Sequence, residues 1–462
     1  MPADLLSPDA HALAVHLHDR LMPTWEALAL PARWTPADLP ADLAPLAVDA
    51  WRAADVPDVL RERRVELIVA AHDDAAVRHG LKSGADAVVL DLDDVFSPRA
   101  GNLRRAYRNF PAYAALPGVF LTRVRPLAHR EPRATLNGRA AVAGLLDLAA
   151  CMTAFRAREV LLYLPKIDSV PEARFWRDAL TLAERWLQLP EGRVRVCLQI
   201  ETLPGLLRAE ALLHELRGYA YGLNAGRWDY VFSVVKHLGP HLPAPLPERA
   251  RLGMNEPSMQ AYARQIVSVC AAHGAQAVGG TAAVALTGDP GRDRAALDAV
   301  RADKDREAAQ GFVAAWAGRT ELLGAVRDAF RTPAPPPRPE DHRAAALDLP
   351  FAAHVPEEAV RDALGVALAV LGAWLAGVGD VARAGRSEDT ATAELARAHL
   401  QHWHARGLLD RDAYLHLRRE QQPDDAPAAR LLDALVLTDT PAAYFPAVAE
   451  TLFPEAALPD AP

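Results

Sequence analysis

The chain has 462 residues, 51% of them apolar, and a formal net charge of −8. That length allows two or three domains around a large core, and the negative balance excludes an extended nucleic-acid surface, which needs a basic stripe. Cys151, Cys197 and Cys270 are widely spaced and odd in number, so they read as buried thiols in a reducing compartment and exclude a disulfide framework.

At the amino end, Met1-Pro2-Ala3-Asp4 lacks the basic start and apolar run of a secretory signal, so a cytoplasmic protein is expected. Residues 1–60 are expected to form a helical clasp, rich in Ala, Leu and Pro from residue 8 onward. Residues 61–330 then alternate short β-rich runs with helical segments, the pattern of parallel βα units. The runs are 65–71, 87–92, 119–124, 160–165, 194–201, 230–235, 275–280 and 312–317. Eight runs at this length predict an α/β fold, a closed (β/α)₈ TIM barrel, where an open doubly wound sheet more often holds fewer strands. No G-x-G-x-x-G follows any of them, which leaves a dinucleotide site without support.

Past the barrel, residues 331–350 are expected to be a stiff linker, on the strength of Arg331-Thr332-Pro333-Ala334-Pro335-Pro336-Pro337-Arg338-Pro339. Residues 351–462 form the predicted C-terminal helical domain, periodic from 356 to 450 with breaks at Gly377-Val378-Gly379 and Gly407. Within it, residues 363–379 are uncharged, but they are Ala/Gly-rich and Asp380 follows where a cationic flank belongs, so a buried helix is expected and no membrane span.

The chemistry concentrates at the ends of these runs, where barrel enzymes place it. Glu201 closes the run 194–201, and Asp229 follows in the glycine-bearing segment Gly222-Leu223-Asn224-Ala225-Gly226-Arg227-Trp228-Asp229-Tyr230. Two carboxylates leaving neighbouring strands can share one hard divalent cation, while the glycines free backbone N–H groups for the carboxylate of a small acid. Asp91, Asp93 and Asp94 end another run; Asp93 or Asp94 suits a metal-bound water, and the loop equally suits a solvated acidic rim. Arg123 ends a third, with Arg125 on the same face if the run stays extended. Asp389 precedes a helical run and suits an N-cap as well as a base. Lys166 suits a substrate contact or an ion pair with the barrel acids. His399, His402 and His404 do not all share a helix face and read as packing or surface residues. Arg301, Lys304 and Arg306 read as a solvated helix face rather than a coenzyme A clamp.

These residues also carry a resemblance. Ile200-Glu201-Thr202-Leu203, then Gly222-Leu223-Asn224 with Gly226-Arg227-Trp228-Asp229-Tyr230, resemble the signature of the malate synthase family in its short A-type form. Arg63-Arg64-Val65-Glu66-Leu67, Tyr163-Leu164-Pro165-Lys166, Gly279-Gly280, Val300-Arg301-Ala302-Asp303-Lys304 and Glu388-Asp389 with Ala391-Thr392-Ala393-Glu394 extend the likeness over roughly residues 45 to 420. The resemblance implies Mg²⁺-dependent Claisen condensation of acetyl-CoA with glyoxylate, then hydrolysis to malate and CoA, a step of the glyoxylate bypass. It implies Glu201 and Asp229 as metal ligands and Arg123 with Gly226, Trp228 and Asp229 as the substrate-binding set. Arg123 would stabilise the developing enolate, and Asp389 would take the proton from the acetyl methyl group.

The chain departs from the family at three places, which marks it as a divergent member. Where the family runs Arg-Pro-Arg-Gly-Trp-His, this chain has Arg123-Val124-Arg125-Pro126-Leu127-Ala128-His129, which leaves the choice between Arg123 and Arg125 open. The family's His-Asp-Gly-Thr-Trp and Ala-His-Pro at the eighth strand are replaced by Gly311-Phe312-Val313-Ala314-Ala315-Trp316-Ala317-Gly318-Arg319-Thr320, and its methionine after Gly279-Gly280 is Thr281. A malyl-CoA-type lyase on the same barrel, or a non-catalytic relative that binds glyoxylate or CoA, are the alternatives at this point. The sequence leaves the oligomeric state open.

Overall fold

Eight parallel strands close into a barrel in the computed structural model, which describes residues 5–31, 34–439 and 441–454. In chain order the strands are β1 (Val65–Ala70), β2 (Ala87–Asp91), β3 (Phe120–Arg123), β4 (Arg130–Leu136), β5 (Arg139–Val142), β6 (Val160–Leu164), β7 (Val194–Ile200), β8 (Ala220–Ala225), β9 (Gln276–Ala282), β10 (Ala314–Ala317), β11 (Val381–Arg383) and β12 (Arg386–Glu388). The barrel order is β1-β10-β9-β8-β7-β6-β3-β2, while β4 with β5 and β11 with β12 form separate antiparallel hairpins. The barrel strands are buried on both faces and read as near-continuous apolar runs, as in Ala87–Asp91 and Val160–Leu164.

The sixth strand corrects the sequence reading. Residues 230–235 are β-branched and aromatic, yet they lie inside the helix Arg227–Leu238, and the strand is Ala220–Ala225. Tyr230, Val231, Phe232, Val234 and Val235 are all buried, because this helix is covered by the barrel on one side and by the helix Thr390–Ala405 on the other. A helix buried all round loses the polar stripe that would reveal its period. The true strand is disguised by Gly222 and Asn224, and Gly222 is needed there, since a Cβ would meet the Gln276 carbonyl oxygen at 2.7 Å.

Before the barrel the long helix Pro8–Ala27 packs on the barrel helices Ala143–Phe155 and Val170–Trp186. Only this first part is long helix; the stretch 43–57 is irregular and crosses the lower end of the barrel. There Ala54 N–H donates to the Ala220 carbonyl at 2.9 Å, and Leu60 joins the barrel-interior cluster. The Met1-Pro2-Ala3-Asp4 start lies outside the described residues. Inside the barrel, Glu66 accepts hydrogen bonds from Arg63, from Tyr163 Oη at 2.7 Å and from Trp316 Nε1 at 3.0 Å. Three donors on one buried carboxylate make a satisfied polar layer in an otherwise apolar interior.

Strand eight forms despite its altered sequence, pairing with β1 and β9. Phe312 and Val313, which stand where the family has His and Asp, lie before its first residue, at the end of the barrel away from the acids. Phe312 is fully buried, and Val313 N–H donates to the Ala277 carbonyl at 3.0 Å. The chain then runs without helix or strand from 331 to 342 and enters a second apolar core built on the helices Glu357–Leu375, Thr390–Ala405, Arg411–Gln421 and Pro427–Val436. Residues 363–375 belong to the first of these, largely buried, and among the described residues no helix is long and apolar enough to cross a membrane.

Candidate active site

The strand registers set Asp91 beside Arg123 and Ile200 beside Ala225 at the carboxyl end of the barrel. Asp91 then organises the loop that follows it, accepting from the backbone N–H of Asp93 at 3.1 Å and of Val95 at 2.7 Å. This turn swings Asp94 inward. Asp94, Glu201 and Asp229 each present a carboxylate oxygen, and the three oxygens lie within 4.8 Å of one another, all buried. The pair expected from sequence is thus brought together, and Asp94 completes a trio. The sequence left Asp93 and Asp94 equally open as the acid near a metal, and no local signal chose between them, since the distinction lies in the hydrogen bonding of the turn.

Asp229 reaches this point because Gly226 ends the approach to the helix Arg227–Leu238 and places Asp229 in its first turn. A Cβ on Gly226 would lie 2.5 Å from Glu201 Oε2 and 2.6 Å from Glu201 Cβ, so only glycine lets the two segments approach. No side chain caps that helix start, which leaves its first N–H groups for a ligand carboxylate. Trp228 lines the same cavity, beneath the Arg227 guanidinium at 4.7 Å from its ring centroid.

Five buried carboxylates, those of Asp91, Asp93, Asp94, Glu201 and Asp229, surround two cations. Lys166 Nζ donates to Asp93 Oδ2 at 2.6 Å and Asp94 Oδ1 at 3.0 Å, and lies 3.6 Å from Asp229 Oδ1 and 3.7 Å from Glu201 Oε1. Arg123 donates from Nε to Asp91 Oδ1 at 2.5 Å and from Nη1 to Asp94 Oδ2 at 2.6 Å, and its guanidinium carbon sits 5.2 Å from the Trp316 ring centroid.

The negative surplus is visible in the proton affinities. Burial, then the Asp94 charge, pushes Asp93 up to about 8 and holds Asp229 well above the ordinary carboxylate range. Burial also raises Glu201. Against the same burial, Arg123 and then Lys166 pull Asp94 down to about 2. Burial opposes the Lys166 ammonium, yet Asp229, Asp93, Asp94 and Glu201 together raise it well above its usual value.

A divalent cation fits this set. The donors are hard oxygens, the charge deficit is of its sign, and Asp229 Oδ1 is buried without a hydrogen-bond partner, as are Gln199 Oε1 and Asn224 Oδ1 on the same cavity wall. That cavity encloses about 300 Å³ between the barrel rim and the helical domain. Asp389 reaches it from the opposite side.

Asp389 is the N-cap of the helix Thr390–Ala405: Oδ1 accepts from Thr392 N–H at 3.2 Å, and its own N–H donates to Thr392 Oγ1 at 2.8 Å. The N-cap and the cavity-facing roles therefore coexist in one residue, with Oδ1 committed to the cap. Burial first, and then the Asp94 charge, raises it to about 7.

Arg125 separates from Arg123 because β3 ends at Arg123. It is buried in an ion-pair cluster with Asp147, at 2.8 Å, and Glu131, at 2.7 Å, and lines a different cavity of about 760 Å³. The histidines stay apart. His402 Nε2 accepts from Leu246 N–H at 3.2 Å, His404 Nδ1 lies 2.9 Å from the Leu409 carbonyl, and His399 stacks on Trp403. Lys304 corrects the expectation of a solvated helix face. It is buried, with Nζ donating to the Gly280 carbonyl at 2.6 Å and paired with Glu307 at 2.9 Å.

Comparison with known proteins follows the same division of the chain. The family model "Malate synthase, TIM barrel domain" matches residues 119–345, and "Malate synthase, C-terminal" matches residues 354–422. A malate synthase of Streptomyces clavuligerus is 34% identical over 400 residues, covering 78% of this chain and 74% of that one. Malate synthase A of Escherichia coli (strain K12) is 31% identical over 391 residues, covering 76% and 72%. Among solved structures, the citrate lyase beta subunit of M. tuberculosis aligns with a TM-score of 0.41 at 16% identity, covering 60% of this chain and 100% of that one.

Proposed function

Because the chain belongs to the malate synthase family, we propose that its rim carboxylates and Asp389 divide between them the condensation of acetyl-CoA with glyoxylate and the hydrolysis that follows, giving malate and CoA. Glu201, Asp229 and Asp94 would hold a Mg²⁺ ion, which supplies Lewis-acid polarisation of the glyoxylate carbonyl when bound. The glyoxylate carboxylate is directed to the uncapped N-terminus of the helix Arg227–Leu238, at Gly226 and Trp228.

Asp389 takes a proton from the acetyl methyl group. A carboxylate is a weak base toward carbon, so the step depends on placement and on stabilising the enolate oxygen. The Arg123 guanidinium, held rigidly by Asp91 and Asp94, is a cation on the cavity wall suited to that oxygen. The enolate carbon then attacks the aldehyde of glyoxylate, and water cleaves the thioester. The seam between barrel and helical domain shelters the carbanion from solvent until the carbon–carbon bond forms.

The observation that carries this reading is the position of Asp389 across one cavity from the converging Asp94, Glu201 and Asp229. An acid supplied by an appended domain favours a synthase over a lyase on the same barrel. Three buried free cysteines agree with a cytoplasmic setting. The test is free-thiol release from acetyl-CoA by the purified protein with glyoxylate and Mg²⁺. Release that stops on omitting glyoxylate or adding a chelator, with malate formed, is expected. Glyoxylate binding without release would overturn the reading.

A further inference from the structure

The two residues before Asp389 are each gripped by an arginine of the barrel. Arg249, in the short turn Arg249–Arg251, donates from Nη1 and Nη2 to both oxygens of Glu388, at 2.9 and 2.8 Å. Glu388 is 1% exposed, so this planar fork is the means by which a buried carboxylate is satisfied. The same Nη2 lies 3.3 Å from Asp362 Oδ2 on the helix Glu357–Leu375, which ties the grip to the helical domain.

Arg319 follows β10. Its Nη2 donates to Ser387 Oγ at 3.1 Å and lies 3.3 Å from Asp380 Oδ2, and the Ser387 hydroxyl donates to Asp380 Oδ2 at 3.2 Å. Backbone bonds run alongside: Ser387 N–H to the Ala283 carbonyl at 2.9 Å, and Ala285 N–H to the Gly385 carbonyl at 3.0 Å. Arg319, Asp380 and Ser387 line the same cavity as Asp389.

The hairpin that carries these residues has three residues in each strand, too few to hold its own shape. Its place over the rim is therefore set by what it binds. We propose that Arg249 and Arg319 form a two-point clamp that fixes how far Asp389 reaches into the cavity, acting as positioning residues of the reaction. This rests on the reading of Asp389 as the base. The two grips differ in strength. Arg249 is nearly buried and bidentate, whereas the Arg319 pair is partly open to solvent and shares one nitrogen between a hydroxyl and a carboxylate, so the Arg319 side is the one that yields when the seam opens.

The experiment compares the full-length protein with Arg319→Ala and Arg319→Lys, measuring kcat and the KM for glyoxylate by thiol release, and amide hydrogen exchange across residues 381–389. Arg319→Ala is expected to lower kcat about tenfold, since small misplacements of a reacting group are costly, with the KM for glyoxylate unchanged and exchange in 381–389 faster. Arg319→Lys should recover part of both. Arg249→Ala strands a buried Glu388 and can unfold the domain, so the double variant Arg249→Met/Glu388→Leu, which removes both charges, replaces it. A larger loss of kcat than in Arg319→Ala is expected there, at unchanged metal affinity.

Wild-type kcat with wild-type exchange in Arg319→Ala would overturn the clamp, as would a raised KM at unchanged kcat, which would make Arg319 a substrate contact. Faster exchange in Arg319→Ala alongside full turnover by Asp389→Asn would support the clamp and remove the base assignment, so the two failures are distinguishable.

Discussion

Glu201 and Asp229 stand at the barrel rim among five carboxylates and two cations, while Asp389 stands on a short hairpin of a helical domain whose own core, around Leu364, Leu400 and Trp403, is apolar. The rim acids are placed by strand registers and by a steric fit at Gly226 that leaves almost no freedom. Asp389 is placed by a helix cap and by hydrogen bonds that cross between domains. One half of the site is thus stiff because its backbone is part of the barrel. The other half is only as stiff as its polar contacts, and this is the half that can move away to admit a substrate.

The largest expected losses lie on the stiff side. Glu201→Gln removes one of the three carboxylates proposed to hold Mg²⁺, and turnover is expected to fall about 10³-fold or more, with half-activation by magnesium shifted to much higher concentration. A magnesium titration of activity reads both. Gly226→Ala forces a methyl group onto Glu201 without altering any charge. Metal affinity should drop by about 10- to 100-fold, as when groups that orient metal ligands are disturbed, and calorimetric titration with Mg²⁺ checks it.

On the soft side the expected effect is a pH dependence. Asp389 keeps its proton up to about 7, so the basic form dominates above that value and is lost below it. kcat should therefore decline on the acid side of about pH 7, by about tenfold per unit once well below it. A pH–rate profile measured at saturating substrates shows whether that limb is present. The smallest effect belongs to the barrel interior. Trp316→Phe removes one of three donors to Glu66 and should cost about 1–2 kcal/mol of stability, seen as a lower melting temperature.

Much of the barrel was legible in the chain because its strands are buried on both faces, and the acid that ends Ala87–Asp91 and the one that follows Val194–Ile200 mark the chemical rim. The sixth strand was not legible, because Gly222 and Asn224 lower the β signal there while the buried helix after it mimics a strand. Glu201 and Asp229 were legible from an acid at a strand end and a glycine three residues before the second acid.

Asp94 was distinguished from its neighbours only by the turn that Asp91 organises. Lys304 was misjudged because, although Glu307 is its i,i+3 neighbour on the helix, the Gly280 carbonyl that buries it comes near only when the barrel closes. Arg249 and Arg319 left no local trace at all, since each meets its partner across 139 and 68 residues of sequence.

The division of the site between the two domains is tested most directly by titrating Mg²⁺ and glyoxylate into Asp389→Asn by calorimetry and assaying the same preparation for thiol release. Binding of both at wild-type affinity, with turnover down by about 10²- to 10⁴-fold, is the expected result. Wild-type turnover, or a loss of metal and glyoxylate binding together with activity, would contradict it.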